Sequence, residues 1–128
     1  MPVSIVRLGS ARSKGEGLRI GTVRRPPRGV PKSKFASENW YDVWLPELSP
    51  AEATVKLALK ADTDAQWKAF EKRYVKEMSA ATPSRVLQML AALSHESNFS
   101  VGCYCEDEAR CHRSVLRRLL KEHGAKLA

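Results

Sequence analysis

The stretch Phe99-Ser-Val-Gly-Cys-Tyr-Cys-Glu-Asp-Glu-Ala-Arg-Cys-His-Arg113 constrains this chain most. Phe99, Val101 and Cys103 alternate with Ser100, Gly102 and Tyr104, the two-residue period of a strand. From Ala109 the spacing turns helical. Val115, Leu116, Leu119 and Leu120 share a stripe, with Arg113, Arg117 and Lys121 opposite. Between the two patterns, Glu106, Asp107 and Glu108 read as a short loop with Asp107 as the expected N-cap, since acids suit the positive end of a helix. A strand handing over to a helix is the unit of an open α/β sheet, and ligands tend to sit outside the carboxyl ends of such strands. All three cysteines and the His112-Arg113 pair fall at this handover. It is the expected site.

The rest of the chain supplies the partners this strand needs. Pro2 to Leu8 is rich enough in β-branched residues for a first strand, and Leu18 to Val23 alternates as a second. Gly9 to Gly17 reads as a loop. Lys34 to Asn39 suggests a helical turn, and Tyr41 to Leu45 a short strand. Trp40, Tyr41 and Trp44 are expected mainly as core, with Tyr41 also a candidate ligand contact. Three helices follow. Ser49-Pro-Ala-Glu52 fits a capping box and opens the first; Asp62 to Asp64 caps the second; Thr82-Pro83 opens the third. Trp67, Phe70, Tyr74 and Met78 recur at helical spacing, the mark of one buried face. Strands early, helices in the middle and a closing strand and helix give one α/β domain of 128 residues, with a mostly parallel sheet and helices packed on it.

Charge narrows the partner. The net charge is +8, and residues 1–34 carry nine Arg and Lys against a single acid, Glu16. That asymmetry favours an anionic small molecule, with nucleic acid as the other anionic partner it allows; a solvated basic surface is the plain alternative. Arg24-Arg-Pro-Pro-Arg28 is a proline-stiffened loop holding three guanidinium groups close together, which suits carboxylate or phosphate. Apolar runs are only a few residues long and the first residues lack the pattern of a signal peptide, so a cytoplasmic protein with no membrane contact is expected. Three cysteines is an odd count, and in a reducing compartment they need not pair.

Three chemistries compete at the cysteines. A thiol near a helix N-terminus, flanked by His112 and Arg113, has the surroundings of a catalytic or redox thiolate acting on an anion. Cys103, Cys105, Cys111 and His112 are also four zinc-ligand types, though neighbouring ligands on one helix diverge by about 100°. Buried structural cysteines with a capping histidine are the third reading. A phosphatase loop is excluded, because the position where its arginine would stand is Ala109 counted from Cys103 and Cys111 counted from Cys105.

The pattern Cys103-x-x-x-Asp107-x-x-x-Cys111-His112-Arg113, with Gly17-Leu-Arg-Ile20, Pro27-Arg-Gly29 and the Trp67/Phe70/Tyr74 helix, resembles the DUF488 family, including its YeaO-like branch. The resemblance covers nearly the whole chain. It implies a compact α/β fold and a shared Cys…Cys-His-Arg site, and no particular reaction. The expected reacting groups are thus Cys103, Cys111, His112 and Arg113. Arg24, Arg25, Arg28, Tyr41, Cys105 and Asp107 are expected to contact the ligand. No cofactor is expected; a metal, if bound, would take Cys103, Cys105, Cys111 and His112.

Overall fold

The computed structural model describes residues 2–105 and 110–128. Four strands, β1 (Val3–Arg7), β2 (Leu18–Gly21), β3 (Val43–Trp44) and β4 (Phe99–Cys103), form one sheet in the order β1-β4-β2-β3 with every pairing parallel. The helices are α1 (Glu52–Leu59), α2 (Asp64–Met78), α3 (Ala81–Leu93) and α4 (His112–Glu122). The last strand in sequence is therefore an inner one. All five residues of β4 are buried, as expected of a parallel strand flanked on both sides. None of the described helices is long and apolar enough to cross a membrane.

Alternation along β2 and β4 separates two faces. Ile20, Phe99 and Val101 join the helical side, where Phe70, Tyr74 and Met78 of α2, Leu87 and Leu90 of α3, and Leu116 and Leu120 of α4 complete the main core. Each large apolar side chain buried this way contributes about 1.5–3 kcal/mol. Arg19 and Ser100 point the other way, into a polar layer closed by the loop after β1. The Arg19 side chain is wholly buried and forks onto Glu16, with Nε to Oε2 at 2.8 Å and Nη2 to Oε1 at 3.0 Å. Its remaining Nη1 donates to the carbonyls of Ser10 and Asn39, and Ser100 Oγ donates to Glu16. Every charge in this layer is matched. Gly17 makes the close approach possible: its φ is +79°, and a Cβ there would run into the carbonyl of Asn98. The Gly17-Leu-Arg-Ile20 motif is thus a tight turn, a buried ion pair and a core residue in succession.

Local signals misplace several element ends. Ser49 does not cap α1: its hydroxyl turns to the Pro50 carbonyl, the helix begins at Glu52, and Glu77 accepts from the Ala51 amide instead. Thr82-Pro83 lies inside the first turn of α3, which starts at Ala81. Only the middle helix has its expected type of cap, a reciprocal Thr63–Gln66 box. Helix α4 begins at His112 with Cys111 as N-cap, three residues later than its apolar spacing suggests, while Asp107 lies outside the described residues. Trp44 is no core residue. It is 42% exposed on the two-residue edge strand, and its indole N–H donates to Val23 O.

The buried pair sets an acid limit on stability. Burial alone would raise the Glu16 pKa, but the hydrogen bonds from Arg19, Ser100 and the Ser13 amide outweigh it and lower the carboxyl to about 2. The unfolded chain binds this proton more readily, so the stabilisation is complete above the ordinary value of 4.5 and is lost as pH falls toward about 2. Glu16→Gln strands a buried guanidinium. It should cost about 3–5 kcal/mol in denaturant unfolding at pH 7 and flatten the loss of stability below pH 4.5. An unchanged unfolding midpoint would refute this role.

Candidate functional site

The carboxyl ends of β1, β4 and β2 open into a cleft of about 1240 Å³. Cys103 and His112 reach it from the sheet end and from α4. Arg24, Arg25 and Arg28 line it from the proline-rich loop, and Trp40 and Tyr104 pack edge to face along another part. The Arg loop thus borders the same cleft as Cys103 and His112, while Cys111 is not among its lining residues.

Two backbone features bring the cluster together. Cys103 ends β4, whose neighbour Gly102 leaves no room for a Cβ against Val6 of β1. Cys111, as N-cap of α4, has extended backbone (φ −135°, ψ 154°), so its side chain is not held to the helical fan that separates neighbours by about 100°. The sulfurs of Cys103 and Cys111 meet as a disulfide pair across a Cα separation of 7.9 Å, and Cys111 Sγ lies 3.9 Å from His112 Nδ1. Both cysteines are buried in a second apolar cluster with Leu8, Val23 and Tyr41.

His112 has a defined tautomer. Its Nε2 lies 2.8 Å from the carbonyl oxygen of Thr22, which can only accept, so Nε2 carries the proton and Nδ1 presents a lone pair toward Cys111. The Thr22 hydroxyl itself donates to Gly102 O, tying this anchor to β4. Tyr74 packs edge-on against the imidazole at 5.6 Å and donates its hydroxyl to Leu48 O. Phe70 and Trp67 continue the same aromatic column along α2. Burial, reinforced by the Arg113 charge and only partly offset by the Thr22 carbonyl, lowers the His112 pKa to about 4. The ring is neutral at physiological pH.

Other expected residues fall elsewhere. Arg113 does not face solvent on the polar side of α4: it is buried and donates to the Cys105 carbonyl at 2.6 Å, bracing the segment after β4. Cys105 does not share a face with Cys103. The chain bends at Tyr104, leaving Cys105 a free, exposed thiol that still borders the cleft. Tyr41 is core rather than cleft wall; its ring covers Gly21, where a Cβ would collide with it. Trp40, the neighbour, lines the cleft instead. Arg24 is held by the carbonyls of Ser49 and Pro50, and Arg25 pairs with Glu52. Arg28 is exposed with no hydrogen-bond or ion-pair partner among the described residues. Sequence reasoning missed Thr22, which acts through its main chain and so leaves no side-chain signal.

A family model described as the active DUF488-N3 subclade matches residues 3–124. The chain belongs to the DUF488 family. No curated protein and no solved structure matches it. Among the residues that carry the resemblance to DUF488, the Trp67/Phe70/Tyr74 column backs His112, and Pro27 and Arg28 border the cleft with Cys103 and His112, while Gly17 and Arg19 fix β2 away from it.

The tautomer is directly measurable. Long-range proton–nitrogen spectra at neutral pH should show His112 protonated at Nε2 and bare at Nδ1. A predominant Nδ1–H form would contradict the site geometry.

Proposed function

We propose that this DUF488 protein is a thiol-dependent enzyme acting on an anionic, phosphate-bearing ligand held in the cleft. The observation that carries the reading is His112. Its Nε2–H is committed to Thr22, its Nδ1 is turned to Cys111, and the cleft that His112 borders is lined by arginines. In the reduced protein, Nδ1 is placed to accept the Cys111 proton. Burial disfavours imidazolium, so the ring is a neutral base. Cys111 also stands at the N-cap of α4, where first-turn amides favour a thiolate. Arg113 acts by positioning the Cys105 segment. Arg28, without a partner among the described residues, is the guanidinium best suited to grip the anion. The disulfide is then the oxidised resting form, opened by two equivalents of a small thiol with release of that thiol's own disulfide. The description of the subclade as active agrees with an enzyme.

A nucleic-acid surface would draw on the same basic residues. Arg12 and Arg19 are spent on Asp42 and Glu16, and Arg24 and Arg25 are engaged as above, which favours a small anion over an extended phosphate track.

Inorganic pyrophosphate titrated calorimetrically into the reduced protein at low salt should bind. Arg28→Ala should weaken binding about tenfold, as expected for losing one charge-assisted hydrogen bond, while Lys72→Ala, on exposed α2 surface, should leave it unchanged. Absence of binding, or equal effects of the two substitutions, would overturn the cleft assignment.

A further inference from the structure

We propose that the reduced Cys103, Cys111 and His112 bind a zinc-type divalent ion, with one coordination position left open toward the cleft. Their three donor atoms lie within 4.8 Å of one another. Zn–S near 2.3 Å and Zn–N near 2.0–2.1 Å, at tetrahedral angles, put two ligand atoms of one ion about 3.5–3.8 Å apart. Cys111 Sγ and His112 Nδ1 are 3.9 Å apart, so small rotations of these side chains admit an ion.

Three further observations point the same way. First, a metal-ligating histidine is usually fixed by a hydrogen bond from its other ring nitrogen to a carbonyl or carboxylate, and the Nε2–H bond to Thr22 O supplies that anchor. Second, Cys103 at the end of β4 and Cys111 at the N-cap of α4 bring both sulfurs to one point of a buried cluster, with His112 Nδ1 beside them. Third, the objection to adjacent ligands on a helix does not apply, because Cys111 has extended backbone and only His112 is helical. Charge is also balanced. Two thiolates and a neutral imidazole cancel a divalent charge in a pocket where both cysteines are at most 2% exposed.

Cys105 is not a fourth ligand, since it is exposed and lies outside the trio. Among the described residues the chain therefore offers three ligands, and both His112 and Cys103 border the cleft. Three protein ligands with an open position characterise catalytic rather than structural zinc. Binding releases the two thiol protons to solvent and leaves a place for water or a ligand oxygen. This inference does not rest on the thiol mechanism; with the ion bound, the sulfurs serve as ligands and the open position meets the anion instead.

The test uses the full chain, reduced and stripped with chelator, titrated with cobalt(II) as probe and back-titrated with zinc. A thiolate-to-cobalt charge-transfer band saturating at one ion per chain, displaced by zinc and absent after disulfide oxidation, is expected. Cys105→Ser should bind as the parent does. Cys111→Ser and His112→Ala should each weaken binding at least tenfold. No band in the parent chain overturns the proposal whether or not the variants fold, and so does a band that survives Cys111→Ser but is lost in Cys105→Ser. Should cobalt fail while pyrophosphate still binds the cleft, the metal inference alone falls.

Discussion

The inner position of β4 is the constraint on which the rest of the molecule depends. A strand from near the end of the chain pairs in parallel with two strands from its beginning, Val3–Arg7 on one side and Leu18–Gly21 on the other. Such non-local pairing is paid for in chain entropy and must be repaid on both faces. On one face the repayment is the helical core. On the other it is the Arg19–Glu16 fork, which takes in Ser100 of β4 itself. The same insertion carries Cys103 to the carboxyl edge and places Gly102 where Thr22 can bond it.

From this the site follows by short steps. Thr22, the residue after β2, offers its carbonyl to His112 at the first position of α4, and the α2 aromatic column holds the ring from the side. The imidazole is thereby fixed in tautomer and orientation by groups that belong to the fold. Whatever chemistry the sulfur pair performs, it begins from a neutral nitrogen aimed at Cys111. The arginines above it are more selective than their number suggests. Arg24 and Arg25 are tied within the chain, and Arg28 lines the cleft with no partner among the described residues.

Much of this was legible in the sequence. The alternation of Phe99 to Cys103 and the apolar stripe of Val115 to Leu120 fixed the strand-to-helix unit, and the Trp67, Phe70, Tyr74 and Met78 spacing located a buried face. Partnerships between distant groups left no local trace. Arg19 counts in the sequence only as one of nine basic residues in the first 34, because its mate, Glu16, is recognisable only once burial is known. Arg113 sat on the polar side of the helical pattern, yet it is buried and bonds the Cys105 carbonyl. Caps failed for a similar reason: Ser49 and Thr82 have the right chemistry, but tertiary packing starts their helices elsewhere.

The most direct test of the central claim, that an anion-accepting cleft leads to the reactive sulfur, compares two alkylating reagents on the reduced, metal-free protein. Iodoacetate is anionic, iodoacetamide neutral, and mass spectrometry assigns the adducts to Cys103, Cys105 or Cys111. The exposed Cys105 serves as internal control for intrinsic thiol reactivity. The account predicts a rate ratio of iodoacetate to iodoacetamide several-fold higher at Cys103 or Cys111 than at Cys105, an excess that shrinks in Arg28→Ala and at high salt. The same ratio at all three cysteines would contradict it.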